Sequence, residues 1–339
     1  MKKIINTSVF FSNLSKTLVY SLEYRLLYQL SNSLSWFVKA PLKEKNQEIV
    51  KHLRQKILSL HQQDAQNISD GYYPLEVIKP KSPKDHLMNL PYLLLDSLKV
   101  SRRRKLNLKK DFKVEPQDVP DYLKRNYHFQ TDGYFSEKSA MIYEHQVEVL
   151  FSGTAAPMRR MLIKLIKEKI KTGKPLRILE LGAGVGSASI DFAHSFQFES
   201  YTLLDISKPY LDVAQARLTG KNLHFVQAPA EKIPSLDNQF DLVFSVFLFH
   251  ELPRSVREKV LIESYRVLAP QGIMGICDSI QIDDDPKING VLENFPVDYH
   301  EPFYKDYTLW NAKEALSLVG FRDIASDVNF LSKYWVAEK

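Results

Sequence analysis

Residues Arg177-Ile-Leu-Glu-Leu-Gly-Ala-Gly-Val-Gly-Ser187 decide how the rest of the chain is read. Ile178, Leu179 and Leu181 form a short apolar run suited to a strand buried on both faces of a parallel sheet. It leads directly into Gly182, Gly184 and Gly186. Without a Cβ, these residues let the backbone turn sharply and lie directly against a ligand before a helix begins near Val185 to Ser187. A strand, a glycine turn and a helix N-terminus together make a ligand platform.

The spacing selects the ligand class. Dinucleotide-binding turns follow G-x-G-x-x-G. Here the third glycine comes one residue early, and Ser187 stands where that pattern expects Gly or Ala, which argues against NAD. With its acidic lead, Glu180-Leu-Gly-x-Gly-x-Gly resembles motif I of the class I, Rossmann-like S-adenosylmethionine-dependent methyltransferases, of the type 11/12-like group.

Outward from this stretch, the following segments keep the same order. Tyr201 to Asp205 reads as a second strand ending in a carboxylate, about 20 residues past the loop, where a doubly wound fold places its ribose ligand. Leu223 to Gln227 is a third strand, followed by Ala228-Pro-Ala-Glu-Lys-Ile-Pro234. Phe240 to Phe249 reads as a central fourth strand running into His250-Glu251. A helix over Ser255–Leu268, a turn at Ala269 to Gly272, and a fifth strand from Ile273 to Cys277 follow. The Phe240-Asp-Leu-Val strand and the Arg266-Val-Leu-x-Pro-x-Gly272 turn also resemble the methyltransferase core. At the C-terminus, a helix over Ala312–Val319, a Gly320-Phe321 stop and strands at Asp323–Val328 and Lys333–Ala337 resemble its final antiparallel hairpin. The resemblance covers about Leu176 to Lys339. It implies an α/β, Rossmann-like doubly wound seven-stranded sheet with an antiparallel last strand, joined here to a mainly helical N-terminal region.

It also implies site residues. S-adenosylmethionine is the expected cofactor, with Gly182, Ala183, Gly184 and Gly186 against its methionine portion and Glu180 near its amino group. Asp205 and Ile206 are expected at the ribose, Ala230 and Glu231 at the adenine, and Ser245 at the amino-acid end. The family's common Asp at the adenine is Pro229 here. His250 and Glu251 are candidate catalytic residues, because open α/β sheets bind ligands at the carboxyl ends of their strands. His250, with an ordinary pKa near 6.5, is a natural general base, and capping the following helix would explain it equally well. Residues 279–307 are long for a connection and are expected to cover the acceptor, with His300, Tyr304 and Tyr307 in the pocket. No metal site is expected. Asn/Asp-Pro-Pro-aromatic, typical of base-amine methylation, is absent after strand four, and Cys277, the single cysteine, lies within an apolar strand.

The upstream region divides into a mainly helical part, residues 1–125, and an aromatic linker with helices, residues 126–175. Apolar side chains from Leu14 to Val38 recur at steps of three and four, as they do again over residues 42–61, which predicts two helices with a break at Pro41. Residues 62–91, rich in Pro, Asp, Asn and Gly, are expected to loop around short elements. Asn126 to Phe135 packs four aromatics around Gly133, and Tyr134 and Phe135 are expected to face cofactor or acceptor. Ser136 reads as an N-cap for a helix ending near Gly153. A second helix opens at Pro157 and runs to Thr172.

Charge is unevenly distributed. Residues 1–130 carry 23 Lys and Arg against 12 Asp and Glu, leaving 23 against 28 in the remainder of a chain whose net charge is +6. The run Lys99-Val-Ser-Arg-Arg-Arg-Lys105, with Lys109, Lys110 and Lys113, can contact phosphates, yet no stacking aromatics interleave it. Nucleic acid is therefore a possible but unfavoured partner, and a small-molecule acceptor is expected. No apolar run reaches the length of a membrane span, and one cysteine suits a reducing compartment, so a cytoplasmic location is expected. The expected function is methyl transfer to a quinone-, lipid- or natural-product-like molecule. RNA methylation and a non-catalytic cofactor-binding scaffold are the alternatives, and oligomeric state is left open.

Overall fold

A computed structural model describes residues 2–34, 47–78, 83–112, 119–171 and 173–339, without the side chains of residues 30–34 and 83–87. Its N-terminal part is helical: α1 (Lys2–Leu34), α2 (Gln47–Ser69), α3 (Pro83–Leu106), α4 (Glu137–Leu150) and α5 (Ala155–Lys169). The remainder alternates as β1 (Leu176–Leu181), α6 (Ser187–Ser195), β2 (Phe198–Asp205), α7 (Lys208–Arg217), β3 (Leu223–Gln227) and β4 (Phe240–Val246). It continues with α8 (Arg254–Val267), β5 (Leu268–Ser279), α9 (Asn289–Asp298), α10 (Tyr304–Tyr307), α11 (Ala312–Val319), β6 (Arg322–Asn329) and β7 (Ser332–Glu338).

The strands form one seven-stranded sheet in the order β3-β2-β1-β4-β5-β7-β6. All neighbours are parallel except β7, which runs antiparallel to both β5 and β6. The chain starts mid-sheet at β1, proceeds outward to β3 and returns to β4, so the order reverses between β1 and β4. Leu181 pairs with Leu204 on one side and Ser245 on the other, which brings the ends of β1, β2 and β4 level. Ligands bind at such a reversal because the flanking connections leave on opposite faces and open a crevice.

Burial on both faces explains the apolar runs. Ile178, Leu203, Leu242 and Phe244 face α5 and α6 in one core, where the rings of Phe192 and Phe244 stack at 3.8 Å. Leu179, Leu181, Leu204 and Val243 face the opposite core with residues of α8 and α11. The first core also takes in Val9 of α1 and Leu60, Ala65 and Ile68 of α2, so the N-terminal helices share it with the sheet. A buried ion pair reinforces that junction: Arg160 on α5 donates to both oxygens of Asp64 on α2, at 3.0 and 2.6 Å.

Several boundaries differ from the sequence reading. α1 begins at Lys2, well before residue 14, and residues 35–38 and Pro41 lie outside the described residues. Its apolar residues do not form a single buried face: Leu27 is buried, whereas Leu18, Val19, Leu22 and Leu26 are exposed. Residues 62–91 are not mainly loop. α2 continues to Ser69, burying Ala65, Asn67 and Ile68, and α3 accommodates Pro91 in its interior. Leu93, packed with Tyr20 and Ile142, shows tertiary burial outweighing local helix-breaking composition. β4 stops at Val246 because Phe247 takes a left-handed φ of +55°, and Phe249–Glu251 form a short turn. Ser136 caps α4, accepting from Ser139 N–H, as expected. None of the described helices is long and apolar enough to cross a membrane.

Candidate active site

The glycine loop after β1 is built from left-handed backbone. Gly182, Gly184 and Gly186 have φ of +67°, +56° and +76°. The N–H groups of Gly182 and Ala183 both donate to Leu204 O, at 2.8 and 3.1 Å, which ties the loop to the end of β2. A Cβ on Gly186 would lie 2.7 Å from Leu218 Cδ1, whereas one on Gly184 would meet nothing closer than Tyr210 Cδ1 at 4.0 Å. Gly186 is thus required by packing. Gly184 instead keeps backbone open to the crevice.

That crevice is a cleft partly open to solvent. Gly182, Gly184, Asp205, Ile206, Ala230 and Glu231 line it, together with Tyr134, Phe135, Tyr143 and Glu251 among others. Asp205 sits at the end of β2. Its Oδ2 accepts from Gly184 N–H at 2.8 Å and its Oδ1 from Ser207 N–H at 2.7 Å. Burial pushes this carboxyl up to about 6, although the two amide donors favour its ionised form.

Glu231 Oε1 accepts from Tyr122 O–H at 2.8 Å, while its buried Oε2 has no hydrogen-bond partner. An unmatched acceptor beside Ala230 suits the donor amino group of an adenine, offsetting the loss of the family's Asp at Pro229. Glycine backbone, a ribose-type carboxylate and this orphaned oxygen together fit S-adenosylmethionine. Its sulfonium end would lie toward the aromatic wall, where ring faces favour a cation. The wall is rigid: Tyr134 packs edge-on against Tyr210 at 5.6 Å, and Ser207 Oγ donates to its carbonyl at 2.5 Å.

Several expected contacts lie elsewhere. Glu180 does not line the cavity. Its buried carboxylate accepts from Ser189 O–H and Tyr201 O–H, each at 2.6 Å, and burial pushes it up to about 7. It supports the loop from beneath α6. Ser245 is likewise buried in β4, its Oγ without a partner and outside the lining. Tyr304 O–H pairs with Ser279 Oγ, and Tyr307 O–H donates to Ser279 O, so both tyrosines brace the end of β5. His300 packs against Phe129 at 5.2 Å, and burial together with Arg125 lowers it to about 4.

His250 is not among the residues that line the cavity. Its Nδ1 lies 2.6 Å from Asp278 Oδ1, and Asp278 Oδ2 accepts from Phe249 N–H at 2.7 Å, clamping the whole turn. Burial opposes the ring's charge, but Asp278 outweighs it and raises His250 to about 10. Glu251, by contrast, reaches the cavity, and Tyr134 O–H donates to its Oε1 at 2.5 Å. Sequence reasoning missed Tyr122, Tyr143, His128 and Glu301 as neighbours of this site. Only the aromatic density around Gly133 pointed toward them.

The basic run is partly structural. Arg103 is buried and donates to Asp111, to Phe129 O and to Thr131, and Arg104 lies 5.4 Å from the ring centre of Tyr299. Lys99, Lys109 and Lys110 are exposed, and Lys113 lies outside the described residues.

Comparison with known proteins assigns residues 178–272 to a methyltransferase domain family. The chain is 32% identical over 121 residues to a fatty-acid O-methyltransferase of Mycolicibacterium smegmatis, covering 36% of this chain and 43% of that protein. It is 32% identical over 135 residues to a ubiquinone/menaquinone biosynthesis C-methyltransferase of Azotobacter vinelandii, covering 38% and 51%. It thus spans about half the length of these curated relatives. A S-adenosylmethionine-dependent methyltransferase structure from Aquifex aeolicus aligns over 60% of this chain and 98% of its own, at 21% identity and a TM-score of 0.43. The glycine loop and the strand order agree with the family match, and residues 178–272 form a methyltransferase domain of the Rossmann-like, S-adenosylmethionine-dependent type.

Proposed function

We propose that the chain transfers the methyl group of S-adenosylmethionine to a small organic acceptor of the quinone, lipid or natural-product type. The observation that carries this reading is one cavity lined by the glycine loop, Asp205, Glu251 and the rings of Tyr134, Phe135 and Tyr143. The names of the relatives, which act on fatty acids and quinone precursors, support an acceptor of that size and polarity.

Methyl transfer is an in-line displacement. The acceptor's lone pair forms the bond to the methyl carbon, and the electron pair of the broken C–S bond stays on sulfur, converting sulfonium to thioether. The protein's work is alignment and exclusion of water. Gly182 and Gly184 hold the methionine portion through backbone, Asp205 accepts from the ribose hydroxyls, and Ala230 and Glu231 enclose the adenine. Tyr134 and Phe135 fix the direction from which the acceptor approaches. Glu251, held by Tyr134, takes the acceptor's proton where one is lost.

Calorimetric titration of S-adenosylmethionine into the wild type and Asp205→Ala, with NAD as control, tests the donor site. S-adenosylhomocysteine release during a screen of demethylated quinones and fatty acids tests the acceptor class. Binding that is lost in the variant, with turnover on one of these classes, is expected. Preference for NAD, or no binding at all, would overturn the reading.

A further inference from the structure

Beyond the donor site, the acceptor end of the cavity gathers side chains from three distant stretches of chain. His128 comes from the aromatic linker, Glu251 from the turn after β4, and Glu301 from the segment between α9 and α10. One donor atom from each lies within 4.8 Å of the others. His128 Nδ1 is 3.1 Å from Glu301 Oε1, and His128 Nε2 is 3.5 Å from Glu251 Oε1. Neither His128 nor Glu301 is used in methyl transfer as described above.

Glu301 points most directly to a missing ligand. Its side chain is 0% exposed, and neither of its oxygens accepts a hydrogen bond. A buried carboxylate without donors is costly, and such groups are normally paired or coordinate a metal. The surrounding charge does not resolve this. His250, matched by Asp278, also stands 4.0 Å from Glu251, so two imidazoles serve three carboxylates and Glu251 and Glu301 together remain one positive charge short. One imidazolium neutralises one carboxylate. A divalent cation bound by a neutral His128 neutralises both.

We propose that His128, Glu251 and Glu301 bind a divalent transition-metal cation at the acceptor end of the cavity. One imidazole nitrogen and two carboxylate oxygens suit Mn²⁺, Fe²⁺ or Zn²⁺ better than thiolate-loving ions. Bonds of about 2.1 Å meeting at right angles put ligand atoms about 3 Å apart, so the three donors, which lie within 4.8 Å of one another, close in around the ion. His128 presents Nδ1 to Glu301 and Nε2 to Glu251, so binding requires the ring to turn until one nitrogen faces both carboxylates. Tyr134 O–H on Glu251 supplies the outer hydrogen bond that orients a ligating carboxylate. Three protein ligands leave coordination positions open, and Glu251 lines the cavity, so those positions face the acceptor. If the methyl-transfer reading holds, the favoured acceptor carries adjacent oxygens able to chelate, such as a vicinal diol or hydroxyquinone.

The test uses the full chain, treated with EDTA and dialysed. MnCl₂ is titrated and free Mn²⁺ followed by electron paramagnetic resonance, with ZnCl₂ uptake measured by elemental analysis. One metal per chain is expected, with binding at least tenfold weaker in Glu301→Gln and in His128→Ala. Circular dichroism melts check folding. Should Glu301→Gln fail to fold, His128→Ala, whose side chain is partly exposed, decides alone. No uptake of either ion by the wild type at tenfold excess, or uptake undiminished in the folded variants, overturns the proposal. S-adenosylmethionine binding, measured without metal in the same samples, reports separately on the methyl-transfer reading.

Discussion

Asp205 links the cofactor site to pH in a way that can be worked through. Its carboxyl is pushed up to about 6 by burial, and it must be ionised to accept from two ribose hydroxyls while holding the Gly184 and Ser207 amides. The apparent dissociation constant equals the intrinsic one divided by the competent fraction. With a pKa near 6, about nine-tenths of the protein is competent at pH 7 and about one-tenth at pH 5. Affinity for S-adenosylmethionine should therefore fall about tenfold as pH drops from 7 to 5, and level off above about 7. Asp205→Asn keeps the shape but replaces one acceptor oxygen with a donor. One amide then faces an NH₂, which costs about 1 to 3 kcal/mol, or roughly 5- to 150-fold in affinity at pH 7. The variant should also lose the pH slope. Calorimetry at pH 5, 6 and 7 on both proteins decides. A wild type whose affinity is flat over this range, or a variant that retains the slope, would refute Asp205 as the titrating ribose ligand.

Further expectations follow from the packing. Gly184→Ala should cost only about 1 to 2 kcal/mol of stability, the penalty of a left-handed Ala, while weakening S-adenosylmethionine at least tenfold because its Cβ enters the cavity. Gly186→Ala adds a clash 2.7 Å from Leu218 Cδ1, so urea denaturation should show a loss of about 2 to 3 kcal/mol. Asp64→Asn leaves buried Arg160 with only Asp191, 3.5 Å away, as counter-charge and should lower stability by about 3 kcal/mol. In the wild type, Asp64's pKa is lowered in the fold: burial opposes this and Arg160 outweighs it. Its contribution is therefore present at neutral pH and lost as pH falls below the ordinary carboxylate value of about 4, which thermal melts between pH 3 and 7 would reveal. Arg103→Ala should destabilise by about 1 to 3 kcal/mol by leaving the buried Phe129 O without its donor, whereas exposed Arg102→Ala should be neutral within about 0.5 kcal/mol in the same melts.

Legibility in the sequence tracked how local each cause was. β1, the glycine loop and Asp205 could be read because strand, turn and carboxylate are contiguous or evenly spaced. Gly320 ended its helix where expected for the same reason. The end of β4 misled because Phe247, Leu248 and Phe249 are as apolar as a strand, and hydrophobicity reports burial without fixing φ. α3 was hidden by Pro91 and its polar neighbours, since the packing that stabilises it comes from α1 and α4. His250 carried an ordinary pKa on paper because nothing near it in sequence announces Asp278, which arrives from the end of β5. The meeting of His128 with Glu301 was invisible for the same reason, and no periodicity encodes a contact between a linker and a distant cap.

The family match ends at residue 272 and begins at 178, and Tyr134, His128 and Glu301 all fall outside it. On the proposed reading, donor site and acceptor site draw on different stretches of chain, joined where Tyr122 meets Glu231, where Ser207 meets Tyr134 and at Glu251. Changes in the linker or the cap can redirect chemistry toward a new molecule while leaving the methyl supply untouched. For anyone seeking a new specificity, the ground to work is the flanks.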